Sequence, residues 1–309
     1  MISPNAVSLM SDFPDFKIRG FNMGEYNQQF RERNMIICAR SKDIYYDKHW
    51  GCLSLKFVIN GDEYYQTGHS TYGVDCSNFL ILNRDTEYSS FIHSPQIVES
   101  FTLNFADDFT SSTLASLNSK HEDLLENNTT ANMPQLVERL YPRDKNIFPV
   151  AAKIYERIGE LEERNEEVAE LYIDLLLSVL KSNLLVNEEI NDIQKAKLST
   201  RQELYKRLNY AKDFIDTCFS EDINLDSIST VACMNREYFI RQFKIHYKLT
   251  PNQYLIKKRM EAARRRLLFT EESISNICCE VGYSDLSSFG KLFKRYFKLT
   301  PENYRNQAR

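Results

Sequence analysis

A seventeen-residue pattern near the end of the chain occurs twice, fifty positions apart. The first copy runs Tyr238-Phe239-Ile240-Arg241-Gln242-Phe243-Lys244-Ile245-His246-Tyr247-Lys248-Leu249-Thr250-Pro251-Asn252-Gln253-Tyr254. The second runs Ser288-Phe289-Gly290-Lys291-Leu292-Phe293-Lys294-Arg295-Tyr296-Phe297-Lys298-Leu299-Thr300-Pro301-Glu302-Asn303-Tyr304. Phe, Phe-Lys, Lys-Leu-Thr-Pro and the closing Tyr fall in register, and Arg241 stands opposite Lys291. A duplication this dense means two related supersecondary units in the tail.

Each unit reads as two short helices around a tight turn. In the first, Leu225, Ile228 and Val231 put an apolar face on a short helix, Cys233-Met234-Asn235 interrupts it, and Asn235 is a good N-cap for the next. Phe239 and Phe243, four apart, point inward from that second helix. In the second unit Ile274, Ile277 and Val281 play the first-helix part, Gly282 is free to adopt positive φ, and Ser284 or Asp285 caps the following helix. Phe289 and Phe293 repeat the inward pair. This is a helix-turn-helix pattern, made twice. Each Thr-Pro starts a further helix, because Thr caps and Pro at the first helical position forfeits no intrahelical hydrogen bond. Pro251 to Phe269 therefore reads as one connecting helix, roughly 27 Å long at about 1.5 Å per residue. Cys233 in the first turn is tolerable if it stays in an ordinary backbone region, and Cys278-Cys279 reads as small buried residues, not a redox pair.

Charge divides the chain at the same place. Residues 1–200 hold 19 Lys and Arg against 30 Asp and Glu, and residues 201–309 hold 20 against 13, so a body of −11 precedes a tail of +7. One basic module on an acidic body is the asymmetry expected of a chain that meets a polyanion. No apolar run approaches the roughly 18 residues that span a bilayer. Asp12, Asp15 and Glu25 break up the first thirty residues, which do not read as a signal peptide. The seven cysteines are scattered and odd in number, as in a reduced, cytoplasmic chain.

Ahead of the tail lie two textures. From Met35 to Phe109 short apolar or alternating runs recur, among them Cys52 to Phe57, Phe79 to Leu82 and Phe101 to Phe105, and Asn60-Gly61-Asp62 reads as a hairpin turn. These strands imply a sandwich or barrel. From Pro149 to Lys197, Ile154, Ile158, Leu161, Val168, Leu171, Leu175 and Leu176 recur at helical spacing. The acidic stretch Glu160 to Glu170 reads as a solvated helix face, and the helices as either packing elements or a dimer seam. The expected boundaries are 1–145 for a sheet domain, 146–200 for a helical connector and 201–309 for the tail.

From about Leu204 to Arg309 the chain resembles the AraC/XylS family of bacterial transcription regulators. The resemblance is carried by the doubled helix-turn-helix, by Glu280-Val281-Gly282-Tyr283-Ser284, and by the ending Phe293-Lys294-Arg295-Tyr296-Phe297-Lys298-Leu299-Thr300-Pro301-Glu302-Asn303-Tyr304-Arg305. Trp50 to Phe109 looks like that family's cupin-like sensor domain, through Asn60 to Tyr65 and Phe79 to Asn83. The implied fold class is α+β and multidomain: a β-rich cupin-like domain, a helical connector, and an all-α domain with two helix-turn-helix units. The implied function is sequence-specific binding of promoter DNA with an amino-terminal domain that senses an effector. The alternative keeps the DNA-binding tail but makes the first domain a dimerisation or protein-interaction module. The implied partners are double-stranded promoter DNA, RNA polymerase, a small-molecule effector and a second copy of the chain as homodimer, with no membrane.

By the same resemblance, the outward face of each second helix enters the major groove. It comprises Arg236, Glu237, Ile240, Arg241 and Lys244 in the first unit and Leu286, Ser287, Gly290, Lys291 and Lys294 in the second, with Arg295 beside it. Arg241 is the expected base reader, since its planar fork can hold guanine O6 and N7 together. Lys244, Lys294 and Arg295 are expected on phosphate or in solvent. Lys291 takes the place of Arg241 but offers a point charge, so the first unit should discriminate and the second should hold.

Trp50, Tyr64, His69, Tyr88 and His93 are candidate walls of an effector pocket, aromatic groups with a few polar ends, or else ordinary sheet residues. The five histidines form no His-x-His pair, and the cysteines lack zinc-ribbon spacing, so no metal or cofactor is expected. With no phosphate-binding glycine loop and no nucleophile elbow among only nine glycines, catalysis is not expected either.

Overall fold

The structure is a computed structural model that describes residues 6–11, 22–68, 70–118, 135–193 and 197–308. The chain divides into two compact units, Met1–Asp192 and Ile193–Arg309.

The first unit runs β1 (Val7–Met10), α1 (Met23–Glu32), β2 (Asn34–Trp50), β3 (Leu53–Asn60), β4 (Glu63–Thr67), β5 (Thr71–Val74), β6 (Asn78–Leu82), β7 (Glu87–Phe105), α2 (Asp107–Asn118), β8 (Leu140–Pro142), α3 (Ile147–Glu156) and α4 (Asn165–Asn191). The strands make one sheet in the order β1-β2-β7-β3-β6-β8, with β4 pairing both β5 and β7. Strand β7 is its spine. Its second half pairs β3, from Leu53↔Phe105 to Asn60↔Glu99, and its first half pairs β4, from Tyr64↔Phe91 to Thr67↔Tyr88.

The turn Asn60-Gly61-Asp62 is therefore not the hairpin that its composition suggests. It hands the chain from one half of β7 to the other, and β3 and β4 do not pair. Gly61 makes this corner possible: its φ is +83°, and a Cβ there would sit 2.6 Å from Val98 Cγ2.

Alternation along β3 sorts its side chains to two faces. Phe57 stacks on Phe79 and Phe101 on one face, where Phe148 of α3 meets it edge-on. Tyr172 of α4 packs on Phe105 and donates its hydroxyl to the Met35 carbonyl at 3.0 Å. The helices read as a connector thus cover a sheet face, because Ile154, Val168, Leu175 and Leu176 have that apolar surface to bury. Glu160 and Glu167 pair with Arg164 at 2.7 and 3.4 Å on the outer side, as a solvated face does. On the opposite face of the sheet the β4–β5 hairpin folds over, and Tyr65, Tyr72 and Val74 join Val58, Leu80 and Leu82 in a second core.

The second unit is all helix: α5 (Leu198–Cys218), α6 (Leu225–Val231), α7 (Arg236–Tyr247), α8 (Pro251–Phe269), α9 (Ile274–Glu280), α10 (Leu286–Phe297) and α11 (Pro301–Ala308). It holds two cores, one around Phe239 and Phe243 with Ile228 and Leu255, the other around Phe289 and Phe293 with Ile277 and Leu267. Helix α8 contributes Leu255 to the first core and Met260, Ala263 and Leu267 to the second, so it holds both. Its bounds are those read from the sequence. Thr250 and Gln253 close a capping box ahead of Pro251. The α+β, multidomain reading holds, with a β-rich first unit and two helix-turn-helix units in the second.

Candidate functional site

The two turns can be laid over each other atom by atom. In the first, the Cys233 and Met234 amides donate to the Thr230 and Ser229 carbonyls at 2.9 and 3.1 Å; in the second, Gly282 and Tyr283 donate to Cys279 and Cys278 at 2.9 and 3.0 Å. Cys233 is thus the counterpart of Gly282, and it takes the same left-handed conformation, with φ of +49° against +82°. The condition of an ordinary backbone region for Cys233 is not met, since these paired hydrogen bonds close the helix end through a left-handed residue. Cys233→Gly should therefore stabilise the second unit, by about 0.5 to 1 kcal/mol. Urea unfolding of both proteins checks it, and a lower midpoint in the variant would refute the assignment.

The second turn is one residue longer. Asn235 caps α7 by accepting from the Glu237 amide at 3.1 Å, whereas Asp285, not Ser284, caps α10 by accepting from Ser287 and Ser288. Hydrogen bonds from Ser288 and the helix amides hold the Asp285 carboxyl below its ordinary value. The repeat also marks the far ends: Lys248 and Lys298 close α7 and α10 in the left-handed region at φ +62° and +66°.

These caps fix which side of each helix faces out. With Phe239 and Phe243 fully buried, Glu237, Arg241 and Lys244 are exposed and Ile240 is half-buried. Arg241 lies over the Tyr238 ring at 5.4 Å. Arg236 is engaged within its own unit, in an ion pair with Asp226 of α6 at 2.9 Å. On α10, Leu286, Ser287, Lys291, Lys294 and Arg295 are exposed, and no atom lies within 4 Å of where a Gly290 Cβ would be. Arg241, Lys244, Lys291, Lys294 and Arg295 form no close ion pair among the described residues, so five cationic side chains stand on two like faces. Such faces suit a phosphate backbone.

Behind the first face sits a buried ionic cluster that the sequence did not disclose. Asp216 of α5 meets Lys212 at 2.7 Å and Lys258 of α8 at 2.9 Å, and accepts from the Tyr254 hydroxyl at 3.1 Å. Burial works to raise the Asp216 pKa, but Lys212 and Lys258 outweigh it and hold the carboxyl below its ordinary value.

In the first unit a cavity of about 80 Å³ is lined by residues of β2, β3, β4 and β7 and by Tyr26 and Phe30 of α1. Of the five candidate wall residues, Trp50 and Tyr88 line it. Tyr64 does not; it stacks on Phe91 at 5.2 Å. His93 is also elsewhere, highly exposed and 3.4 Å from Asp43. His69 lies outside the described residues.

Four lining residues escaped the sequence reading. Lys56 is only 3% exposed, and its Nζ donates to Tyr88 Oη at 2.8 Å. Glu63 is 5% exposed and bonded to the side chains of Ser100, Tyr65 and Ser90. Burial raises the Glu63 pKa against the opposing pull of those bonds and of Lys56. Tyr65 lies within the cavity wall, its pKa raised chiefly by burial, and His49 packs on Tyr88 at 4.4 Å with its pKa lowered by burial. The available signal was Lys56 itself, a lone charge among Leu53, Leu55, Phe57 and Val58. Among the described residues no cluster of three or more His, Cys, Asp or Glu is placed to hold a metal, and no helix is long and apolar enough to cross a membrane.

Residues 228–307 match a protein-family model described as a helix-turn-helix domain. The chain is similar to an uncharacterised HTH-type transcriptional regulator of Haemophilus influenzae, 30% identical over 180 residues that make up 58% of each protein. It is also 29% identical, over 43% of its length and 44% of the relative's, to the HTH-type transcriptional activator RhaS of an Enterobacter species. The chain thus spans between about two fifths and three fifths of the length of these relatives. Among solved structures, the C-terminal domain of AraT, a response regulator from Geobacillus stearothermophilus, is 30% identical, covering 34% of this chain and 87% of that one with a TM-score of 0.33. With its two matched turns and like helix faces inside the matched segment, the chain carries a helix-turn-helix domain and is similar to HTH-type transcriptional regulators.

Proposed function

We propose that the protein is a sequence-specific, DNA-binding transcription regulator whose tail docks α7 and α10 in the major groove of promoter DNA and whose first unit senses an effector. The observation that carries this reading is the pair of like helix faces, each with cationic side chains that form no close ion pair among the described residues. Helix α8, about 27 Å long over Pro251–Phe269, is close to the roughly 34 Å that separates successive major-groove faces. The related proteins are named as transcriptional regulators and an activator.

Within this reading Arg241 reads a base and Lys244, Lys294 and Arg295 hold phosphate. Arg241→Ala should lose about 1 to 3 kcal/mol of preference for the specific site. Lys294→Ala should weaken all sequences alike and reduce the salt slope by about one. Mobility-shift titrations of the full chain on specific and random duplexes, across a salt series, check both. Identical behaviour of the two variants would refute the division of roles, and no binding at low salt would refute the whole reading.

The reacting ends of this function lie at the cavity and at promoter DNA; RNA polymerase is the further partner, and the cytoplasm the compartment. The boundaries 1–145, 146–200 and 201–309 are proposed as sensor, dimerisation and DNA-binding segments. A dimerisation role for the first unit has its own support, because Leu184 and Leu185 of α4 are largely exposed. Sedimentation of the full chain distinguishes a homodimer from a monomer.

A further inference from the structure

We infer that the ligand of the first unit's cavity is a small carboxylate whose anionic end pairs with Lys56 and whose carbon body lies on the aromatic walls; this rests on the effector-sensing reading above. An ammonium group carries three donors, and Lys56 spends one on Tyr88 Oη at 2.8 Å. Its Nζ lies over the Tyr88 ring at 4.7 Å and the Tyr65 ring at 5.6 Å, which softens its desolvation without neutralising it. Among the described residues no carboxylate lies within ion-pair distance of it. A buried cation in this state is destabilising unless something completes it, and folds retain such groups where a ligand does so.

Two acids line the cavity. Asp47 is exposed at its mouth, and Glu63 is already held by Ser90, Ser100 and Tyr65. Burial raises the Glu63 pKa, and its side-chain hydrogen bonds to Ser100, Tyr65 and Ser90 pull it the other way. The wall chemistry sets the rest of the class. Tyr26, Phe30, Trp50, Tyr65 and Tyr88 supply aromatic surface. Lys56 is the single cationic residue in the lining, with no arginine fork beside it. A phosphate spreads its charge over three oxygens and is best met by guanidinium groups or several amides, whereas one ammonium matches one carboxylate.

Trp50 is the chain's single tryptophan and lines the cavity, so its fluorescence reports occupancy in the full chain. The probes are benzoate, phenylacetate and hexanoate, each beside its primary amide, which keeps the shape and removes the charge. At least one acid should titrate saturably and about tenfold or more tighter than its amide, as a charge-assisted bond of ordinary strength requires. Lys56→Met and Lys56→Gln should each abolish that preference and leave amide binding in place; the acid-to-amide ratio is read within one protein and does not depend on its stability. An amide that binds as tightly as its acid, or an unchanged ratio in both variants, overturns the assignment. Amides that titrate without any acid reject the carboxylate class while the sensing reading stands. Silence from all six probes up to about 10 mM removes this assignment and the cavity as the sensing site together, leaving the DNA-binding reading to the mobility-shift assay.

Discussion

Replacing Asp216 with Asn should destabilise the second unit by about 3 kcal/mol, because it leaves the shielded Lys258 without its carboxylate and Lys212 with only Asp213, 3.3 Å away. Lys212 and Lys258 reach the same carboxylate at 2.7 and 2.9 Å, and the side chains of all three residues are mostly shielded from water. The pair joins α5 to α8, so the loss falls on the core that holds α7, and specific DNA binding should weaken along with stability. The sign in pH follows from the shift. The folded Asp216 pKa is lowered from its ordinary 3.8, so its contribution is complete above that value and is lost as pH falls through the depressed folded value. The Asn variant should lack this acid-dependent portion. Urea unfolding followed by circular dichroism, at neutral pH and in an acid series, measures both effects; a variant within 1 kcal/mol of the native protein would show that the cluster is not a support.

Gly282→Ala should cost about 2 kcal/mol, from two independent sources. The backbone sits at φ +82°, where a Cβ is strained, and that Cβ would lie 2.8 Å from the Ser220 carbonyl oxygen and 3.0 Å from Arg259 Cζ. Arg259 cannot readily retreat. Its Nε and Nη2 donate to the Phe219 and Glu221 carbonyls at 2.7 and 2.8 Å, and its guanidinium lies over the Tyr283 ring at 5.2 Å. The glycine thus lets the second turn pack against the residues that follow α5. Chemical denaturation should give opposite signs for Gly282→Ala and Cys233→Gly. Equal signs would mean that the two turns are not equivalent.

Most of the second unit was legible in the sequence, for a reason that lies in its construction. Helices α7 and α10 each begin at a capping residue and bury two phenylalanines four apart, and α8 begins at a Thr-Pro step, so local rules and tertiary packing agree. The duplication supplied a second reading of the same device. What remained hidden there involved residues with no local signature, namely the left-handed lysines that end α7 and α10 and the cluster around Asp216. A lysine carries no mark of positive φ, and an Asp on α5 carries none of a partner on α8.

The first unit was less legible because period two says which residues share a face and not what the face meets. Ser54 and Lys56 alternate with Leu53, Leu55 and Phe57, a pattern that reads as one wet side and one dry side. Both sides are covered in the structure, one by α3 and α4, the other by the β4–β5 hairpin, so the polar set of β3 is interior. The same fold separates Tyr88 from Tyr64, one in the cavity wall and the other stacked on Phe91 outside it.

The sequence by itself determined the two helix-turn-helix units and their outward faces, since these depend on spacings within a few turns of chain. Only the tertiary structure decided that Lys56 is buried beside a cavity, that Asp216 joins two helices, and that Cys233 does the work of a glycine. Those facts depend on which residues distant in sequence enclose a group, and enclosure is what turns an ordinary charge into one that requires a partner.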